Sequence, residues 1–243
     1  LINREPSPVE TYNDIDGEVA NFFRVLRDQK NALIEAIGLT PFSREEFERA
    51  ISEPTDGFSD LERARRFYIR ARQVRTGLAQ KASSGRWAHC RLTSRAGMAG
   101  AVSRWLGAVE ALPEIAKRLL RVQIENDNAV DVISRYDSKQ TLFYCDPPYP
   151  HASRKDSNAY GYEMTDRQHR ELAQILHGVE GKVALSGYHC ELLDKLYSGW
   201  RIVDAPTRLC HSVKKPRSEV LWLNYEPPQF SEDLFNDGTK DNT

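Results

Sequence analysis

Apolar residues along this chain recur with two periods, that of a short strand and that of a helix face. Val9 to Tyr12 reads as a strand that stops at Asn13-Asp14. Val19, Phe22, Phe23, Val25, Leu26, Leu33 and Ile34 then line one face of a helix predicted over Gly17 to Ile37. Asp16 is placed to cap it, with Glu18 in its first turn and Gly38 at its end. Thr40 to Pro54 holds a break and a short helix in which Ser43 and Glu46 form a capping box. Ser59 or Asp60 opens another helix, with Leu61, Ala64, Phe67, Tyr68, Ala71, Val74 and Leu78 at helical spacing. Lys81 to Gly100 lacks a period and reads as a loop. Pro113 to about Leu120 is a helix, Val122 to Asn126 a strand, and Asn126-Asp127 starts a helix that reaches Tyr136.

Leu142 to Cys145 is β-prone and too short for a helix, so it reads as a buried strand. Pro150 to Glu163 is polar, carries Tyr160-Gly161-Tyr162, and reads as a mobile loop able to close over a substrate. Thr165 caps an amphipathic helix to His177. Val183 to Ser186 is a buried strand and Glu191 to Tyr197 a helix. Arg201 to Val203, Arg208 to Val213 and Glu219 to Tyr225 are strands, the last two a hairpin around Lys214-Lys215-Pro216-Arg217. Those three charges suit either contacts to a polyanion or a plain turn. From Glu226 onward the chain is polar and acidic and reads as a disordered tail. Strands alternating with helices predict an α/β sheet covered on both faces, and the terminal hairpin makes it mixed.

Hydrophobic residues form 40% of the chain, enough to fill a core. No apolar run approaches a membrane span, and no signal peptide is visible. The four cysteines show no C-x-x-C spacing, which points to a reducing cytoplasm and away from a zinc site. The formal net charge of −1 hides an asymmetry. Leu61 to Arg121 holds 14 Lys and Arg against 3 Asp and Glu, inside an otherwise acidic chain. Six of those arginines fall within Arg63 to Arg75, with almost no acid to pair them. A basic block in an acidic frame suits a polyanion. Arg63, Arg66 and Arg70 form a stripe beside the apolar one, free to face phosphates. Arg86 and Arg91 flank Trp87 and His89 in the following loop, where basic and aromatic residues together suit groove contacts. A packed Trp87 fits equally well.

The most informative stretch is Asp146-Pro147-Pro148-Tyr149. Pro147 and Pro148 cannot continue a sheet ladder, and Pro147 holds Asp146 extended. The strand therefore ends at its carboxyl edge with a carboxylate and an aromatic on a stiff turn, where open α/β sheets bind ligands. The Asp146 side chain and the carbonyl of Asp146 or Pro147 are two acceptors suited to the two hydrogens of an exocyclic amine. Tyr149 offers a flat face to a planar base, a contact worth ~1–3 kcal/mol.

This tetrapeptide, after Leu142-Phe143-Tyr144-Cys145, resembles the signature of the Dam-like (D12) class of DNA adenine-N6 methyltransferases. Glu10-Thr11-Tyr12-Asn13-Asp14-Ile15-Asp16 resembles the family's second cofactor motif. Lys182-Val183-Ala184-Leu185-Ser186-Gly187-Tyr188 resembles the strand after the catalytic loop, and Arg217 to Asn224 its closing hairpin. The similarity spans roughly residues 1 to 225. It implies a Rossmann-like AdoMet-dependent methyltransferase fold with a mixed sheet, in two parts (1–39 and 113–225), around a mainly helical target-recognition insertion (40–112), with a tail at 226–243. It implies catalytic roles for Asp146, Pro147, Pro148 and Tyr149, and cofactor contacts from Asp14 (to the ribose), Asp127 and Asp146. A helix cap explains Asp127 equally well. S-adenosyl-L-methionine is then the methyl donor, no metal is needed, and the partner is double-stranded DNA. Arg63, Arg66, Arg70, Arg86 and Arg91 are the DNA contacts, and the chain is expected as a cytoplasmic monomer with no membrane partner.

The family's Gly-rich turn, which approaches the methionine end of the cofactor, has no match. Leu1-Ile2-Asn3-Arg4-Glu5-Pro6 resembles the tail of the helix that follows it, so a fragment lacking the first strand is expected. Natural loss of the turn is the alternative, which would leave a non-catalytic DNA-binding remnant. An RNA adenine methyltransferase would use the same chemistry. A protein-glutamine methyltransferase usually carries Asn in place of Asp146.

Overall fold

A computed structural model describes residues 5–54, 56–75, 86–92, 94–95, 97–153, 161–204 and 218–227. Outside them lie the start of the chain at 1–4, Leu78, residues 81–85, and 154–160 of the expected mobile loop. The strand expected at 208–213, the turn with Lys214, Lys215 and Arg217, and the tail from 228 also lie outside. The chain divides into two compact units, Leu1–Ala129 with Ala159–Gly161 and Val130–Asn158 with Tyr162–Thr243.

The first unit runs β1 (Glu10–Asn13), α1 (Gly17–Asp28), α2 (Lys30–Gly38), α3 (Arg44–Ser52), α4 (Asp60–Gln73), β2 (Ser94–Arg95), β3 (Met98–Ala99), α5 (Gly100–Glu110), α6 (Leu112–Leu119) and β4 (Val122–Glu125). β1 and β4 pair in parallel, Glu10 opposite Val122 and Asn13 opposite Glu125. Asp16 caps α1, its Oδ1 accepting the Glu18 N–H at 2.9 Å. The helix expected over Gly17 to Ile37 is broken at Gln29, whose ψ of 37° leaves the helical region. The polar run from Arg27 to Asn31 gives the core nothing to hold at the break. The bend lets Leu26 on α1 and Leu33 and Ile37 on α2 enter one core with Phe47, Ile69 and Trp105. Each such fully buried aliphatic side chain contributes ~1.5–3 kcal/mol.

Two further expectations are corrected here. Ser43 precedes α3 without a side-chain cap bond. Glu46, expected to complete that box, instead accepts from Arg65 Nη1 at 2.9 Å, and a charge-assisted bond outcompetes the cap. Gly100, read as the last residue of a loop, instead opens a helix to Glu110 that buries Trp105. Within the supposed loop, β2 and β3 form a two-stranded hairpin about Gly97, whose φ of 74° suits glycine. The 40–112 segment packs with β1 and β4 in the same unit.

The second unit contains most of α7 (Ala129–Tyr136), then β5 (Leu142–Cys145), a 3₁₀ turn (His151–Ser153), α8 (Asp166–Gly178), β6 (Lys182–Gly187), α9 (Glu191–Leu196), β7 (Arg201–Asp204) and β8 (Val220–Leu223). Its sheet has the order β5-β6-β8-β7, with β5 and β6 parallel and the other pairs antiparallel. The sheet is therefore mixed, and β8 pairs with β7 and β6. Thr165 caps α8 in a full capping box with Gln168. β5 is not buried throughout. Phe143 and Cys145 turn to the core, while Leu142 and Tyr144 are 55% and 46% exposed, because a four-residue apolar run does not say which faces are covered.

Three polar clamps fix the start of β6, two against the segment entering β5 and one against the end of β8. The Asp137 carboxylate accepts the N–H groups of Glu180 and Gly181, both at 3.0 Å. Lys182 N–H reaches the Thr141 carbonyl at 2.8 Å. The Asn224 side chain accepts from Val183 N–H at 2.7 Å and donates to the Gly181 carbonyl at 3.0 Å. Gly181 eases this close approach: a Cβ there would lie 3.0 Å from the Thr141 carbonyl oxygen, tighter than an ordinary contact.

His189 pins the far edge of this unit. Its Nδ1 is 2.7 Å from Asp194 on α9, its Nε2 is 3.4 Å from Asp204 on β7, and its ring meets Trp222 edge-on. The Asp194 hydrogen bond, with the charges of Asp194 and Asp204, raises the imidazole above its ordinary value. A raised folded-state value gives stability that is complete below the unfolded value of about 6.5 and is lost as pH climbs through the folded one. Solvent screening keeps it small, since the side chain is half exposed. We expect His189→Gln to lower the urea midpoint at pH 6 and to converge with wild type by pH 9. Parallel curves across that range would rule the contribution out.

Candidate functional site

The β5–β6 register places Cys145 opposite Leu185, so the next residues, Asp146 and Ser186, meet where β5 stops. Asp146 is exposed. Its Oδ1 accepts from Ser186 Oγ at 2.7 Å, and that hydroxyl also lies 3.2 Å from the Cys145 carbonyl. Among the described residues nothing donates to Asp146 Oδ2 or to the Pro147 carbonyl. The corner thus carries one tethered carboxylate oxygen and two acceptors with capacity to spare. Ser186, itself buried, was read only as part of a strand. The signal was there: a polar residue inside a buried apolar run must find a partner.

Tyr149 is buried at 9% exposure, and Tyr188 meets its ring edge-on, centroids 4.9 Å apart at 83°. The contact fixes the plane of the Tyr149 ring. Burial pushes the Cys145 thiol up to about 12, with the Asp146 charge adding to the effect. A thiol so raised stays protonated at neutral pH and is no nucleophile. Burial also raises the Tyr144 phenol, which lies near Ser186 and Asp146 and keeps its proton.

In the other unit, Asp14 and Asp127 lie just beyond the carboxyl ends of adjacent parallel strands, although 113 positions separate them in sequence. The Asn13 amide joins the two ends, donating to the Asp127 carbonyl and accepting the Asp127 N–H, both at 3.1 Å. Asn126 Nδ2 donates to the Asp14 carbonyl at 2.7 Å. The Asp14 carboxylate accepts from Tyr12 Oη and from Asp16 N–H, each at 2.9 Å. Asp127 Oδ1 accepts the Asn128 N–H at 2.8 Å, the local turn that competes with a ligand role. Asn13 and Asn126 were not singled out from sequence.

The arginine stripe is not short of acids. Arg63 bonds to Glu18 and pairs with Asp60, Arg65 with Glu62 and Glu46, and Arg66 with Glu62 and Glu53. Arg66 is 6% exposed, its guanidinium 3.9 Å from the Phe58 ring centroid. Burial opposes its charge, and the Glu62 and Glu53 bonds outweigh that. Arg70 donates to the Ala50 carbonyl at 2.9 Å, and burial lowers it below the ordinary arginine value. The expectation of an unpaired stripe is corrected: α1, α3 and the segment after α3 supply the missing partners. Arg86 is half-buried and Arg91 exposed. Trp87 is packed, its ring 5.2 Å from Phe42 and its Nε1 donating to Gln73 at 3.2 Å.

Among the described residues no group of His, Cys, Asp and Glu is placed to hold a metal ion, and no helix is long and apolar enough to cross a membrane. In comparison with known families, the model of D12 class N6 adenine-specific DNA methyltransferases matches residues 7–209. No curated protein matches the chain.

Removing Arg66 takes a buried guanidinium from Glu62, which keeps Arg65, and from Glu53, whose side chain is 42% exposed. Losing the hydrogen bonds of such a charged group costs roughly 1.5–3 kcal/mol. Arg66→Ala should therefore lower the urea midpoint of unfolding, which equilibrium denaturation followed by circular dichroism would read. A change under 0.5 kcal/mol would show a surface arginine instead.

Proposed function

Starting from the fact that the chain belongs to the D12 class N6 adenine-specific DNA methyltransferase family, we propose that it transfers a methyl group to the N6 amine of an adenine flipped out of duplex DNA, with Asp146 and Pro147 holding that amine. The observation that carries this reading is the Asp146 corner, with Oδ1 tied to Ser186 while Oδ2 and the Pro147 carbonyl have no donor among the described residues. An exocyclic amine has two hydrogens, one for each acceptor. Bonding both leaves the nitrogen lone pair out of the ring plane, where it can attack. The new N–C bond would form as the donor's C–S bond breaks, and the extra proton on N6 would then pass by way of Asp146 Oδ2 to solvent water.

S-adenosyl-L-methionine, the donor such an enzyme needs, supplies an activated methyl group on a sulfonium. Asp14 and Asp127 suit its adenosine part, since carboxylates beyond adjacent parallel strand ends are where such folds bind ribose. Asp14 would accept from ribose hydroxyls with lone pairs left over from Tyr12 and Asp16. A Rossmann-like sheet and a recognition segment at 40–112 fit the same reading. Tyr149, fixed by Tyr188, would stack on the flipped base, with Pro148 keeping the turn stiff.

An adenine within the helix cannot reach such a corner, and extruding it costs a few kcal/mol. The protein's part is then mainly positioning, which alone can supply ~7–11 kcal/mol of barrier lowering. Cys145 takes no part, as its thiol stays protonated. Arg86 and Arg91 remain the loop contacts of this reading. Arg63, Arg66 and Arg70 serve it by holding together the helices that carry the basic surface.

In the intact protein, Asp146→Ala should abolish methylation while duplex affinity changes less than about threefold. Retained turnover in a radiolabelled-methyl assay would refute the role of Asp146. Ser186→Ala frees the carboxylate to rotate without removing it. We expect kcat to fall roughly 10- to 100-fold, as a loss of orientation would give, with KM for DNA little changed and partial rescue by Ser186→Thr. An equal change in stability and rate for both substitutions would indicate a packing role only.

A further inference from the structure

A cleft of about 160 Å³ opens on the first unit between the end of α4, the segment after Trp87 and the start of α5. Arg72, Arg75 and Arg104 line it with His89, and no carboxylate does. All three arginines are exposed, and among the described residues none forms an ion pair with an acid. Arg72 rests against the Tyr68 ring at 5.9 Å. Their neighbours Arg63, Arg65 and Arg66 are all paired within the fold.

We infer that this cleft holds a phosphate of the DNA backbone, and that it, rather than the α4 stripe, is a principal electrostatic anchor of the duplex. The inference rests on the DNA-methyltransferase reading and deepens it.

Three features support a phosphate there. The cleft is rigid on two sides. Val74 and Trp87 form an antiparallel bridge, with Arg75 N–H on the Arg86 carbonyl and Ala88 N–H on the Gln73 carbonyl, both at 2.8 Å. Trp87, packed on Phe42, backs that wall. The third wall is the first turn of α5, which has no acidic residue and no side-chain cap. Its unbonded N–H groups and the helix dipole favour an anion at that end. The small Ala101 lets a ligand approach that turn. Finally, the guanidiniums at the end of α4 and on α5 have no acid among the described residues and repel one another. An oxyanion that accepts from several of them relieves that repulsion and takes charge-assisted bonds.

The test is duplex binding by fluorescence anisotropy across a salt series, for wild type, Arg72→Gln/Arg75→Gln/Arg104→Gln and a charge control, Arg167→Gln. Arg167 lies on α8 with its side chain 85% exposed. Each phosphate contact contributes about 0.9 to the slope of log affinity against log salt. We expect the triple variant to lose about 0.9 from that slope, the share of one phosphate, and to bind at least tenfold more weakly at 0.1 M salt. Its thermal unfolding should match wild type, since the three side chains are exposed. Wild-type affinity and slope in the triple variant would overturn the cleft and leave the methyltransferase reading intact, as would an equal loss in Arg167→Gln. A loss confined to duplex RNA would overturn the choice of DNA. Wild type that binds no duplex at all would overturn both readings together.

Discussion

The parallel register of β5 against β6 is the constraint on which the candidate chemistry depends. Side chains alternate along a strand, so a slip of one residue would set Asp146 against Leu185 instead of Ser186. Asp137 and the Thr141 carbonyl hold the register at the opposite end of the pair, where Gly181 lets the two segments approach closely. The prolines fix the other side by ending the ladder. The carboxylate is thus located by hydrogen bonds several residues away. The Ser186 tether selects which of its oxygens is left to bind.

Arginine has two uses in the first unit, and the difference is one of partners. Arg66 is buried, and a buried guanidinium persists only when paired and hydrogen-bonded, which Glu62 and Glu53 provide. Arg72, Arg75 and Arg104 keep their hydration and lack acids among the described residues. Part of this contrast could be read in the chain. Arg63, Arg65 and Arg66 each have an acid three or four residues earlier, at Asp60 or Glu62, whereas Arg72 and Arg75 have none. Counting charge over the whole block hid the distinction. The pairing with Glu18, Glu46 and Glu53 could not be read, because it comes from other elements.

Where punctuation is local the chain is legible. β1, β5, β6 and α8 fall where short β-prone runs or, for α8, the Thr165 cap mark them, and the Asp146 turn follows from its prolines. What escaped depends on distant partners. α5 contains Gly100, Val102, Ser103 and Gly107, poor helix formers, and is held by burying Trp105. The break at Gln29 exists because two faces must enter one core. The exposed edge of β5, the tether of Asp146 by Ser186 and the clasp of Asp127 by Asn13 join residues 40 or more positions apart. No pattern within a single element records such contacts.

The proposed chemistry also divides the energetic labour. The Asp146 corner can grip only a base that has already left the stack, so it cannot supply the extrusion cost before extrusion happens. That free energy has to come from contacts made elsewhere and realised as the reaction proceeds. Phosphate contacts from the first unit are suited to this, being strong, long-ranged and indifferent to sequence. The same indifference means they cannot choose the adenine. Choice requires groups that reach base edges or respond to duplex shape, so the cleft and the selection of a site must rest on different residues. A duplex seated by its backbone alone would be held in place with its bases unread.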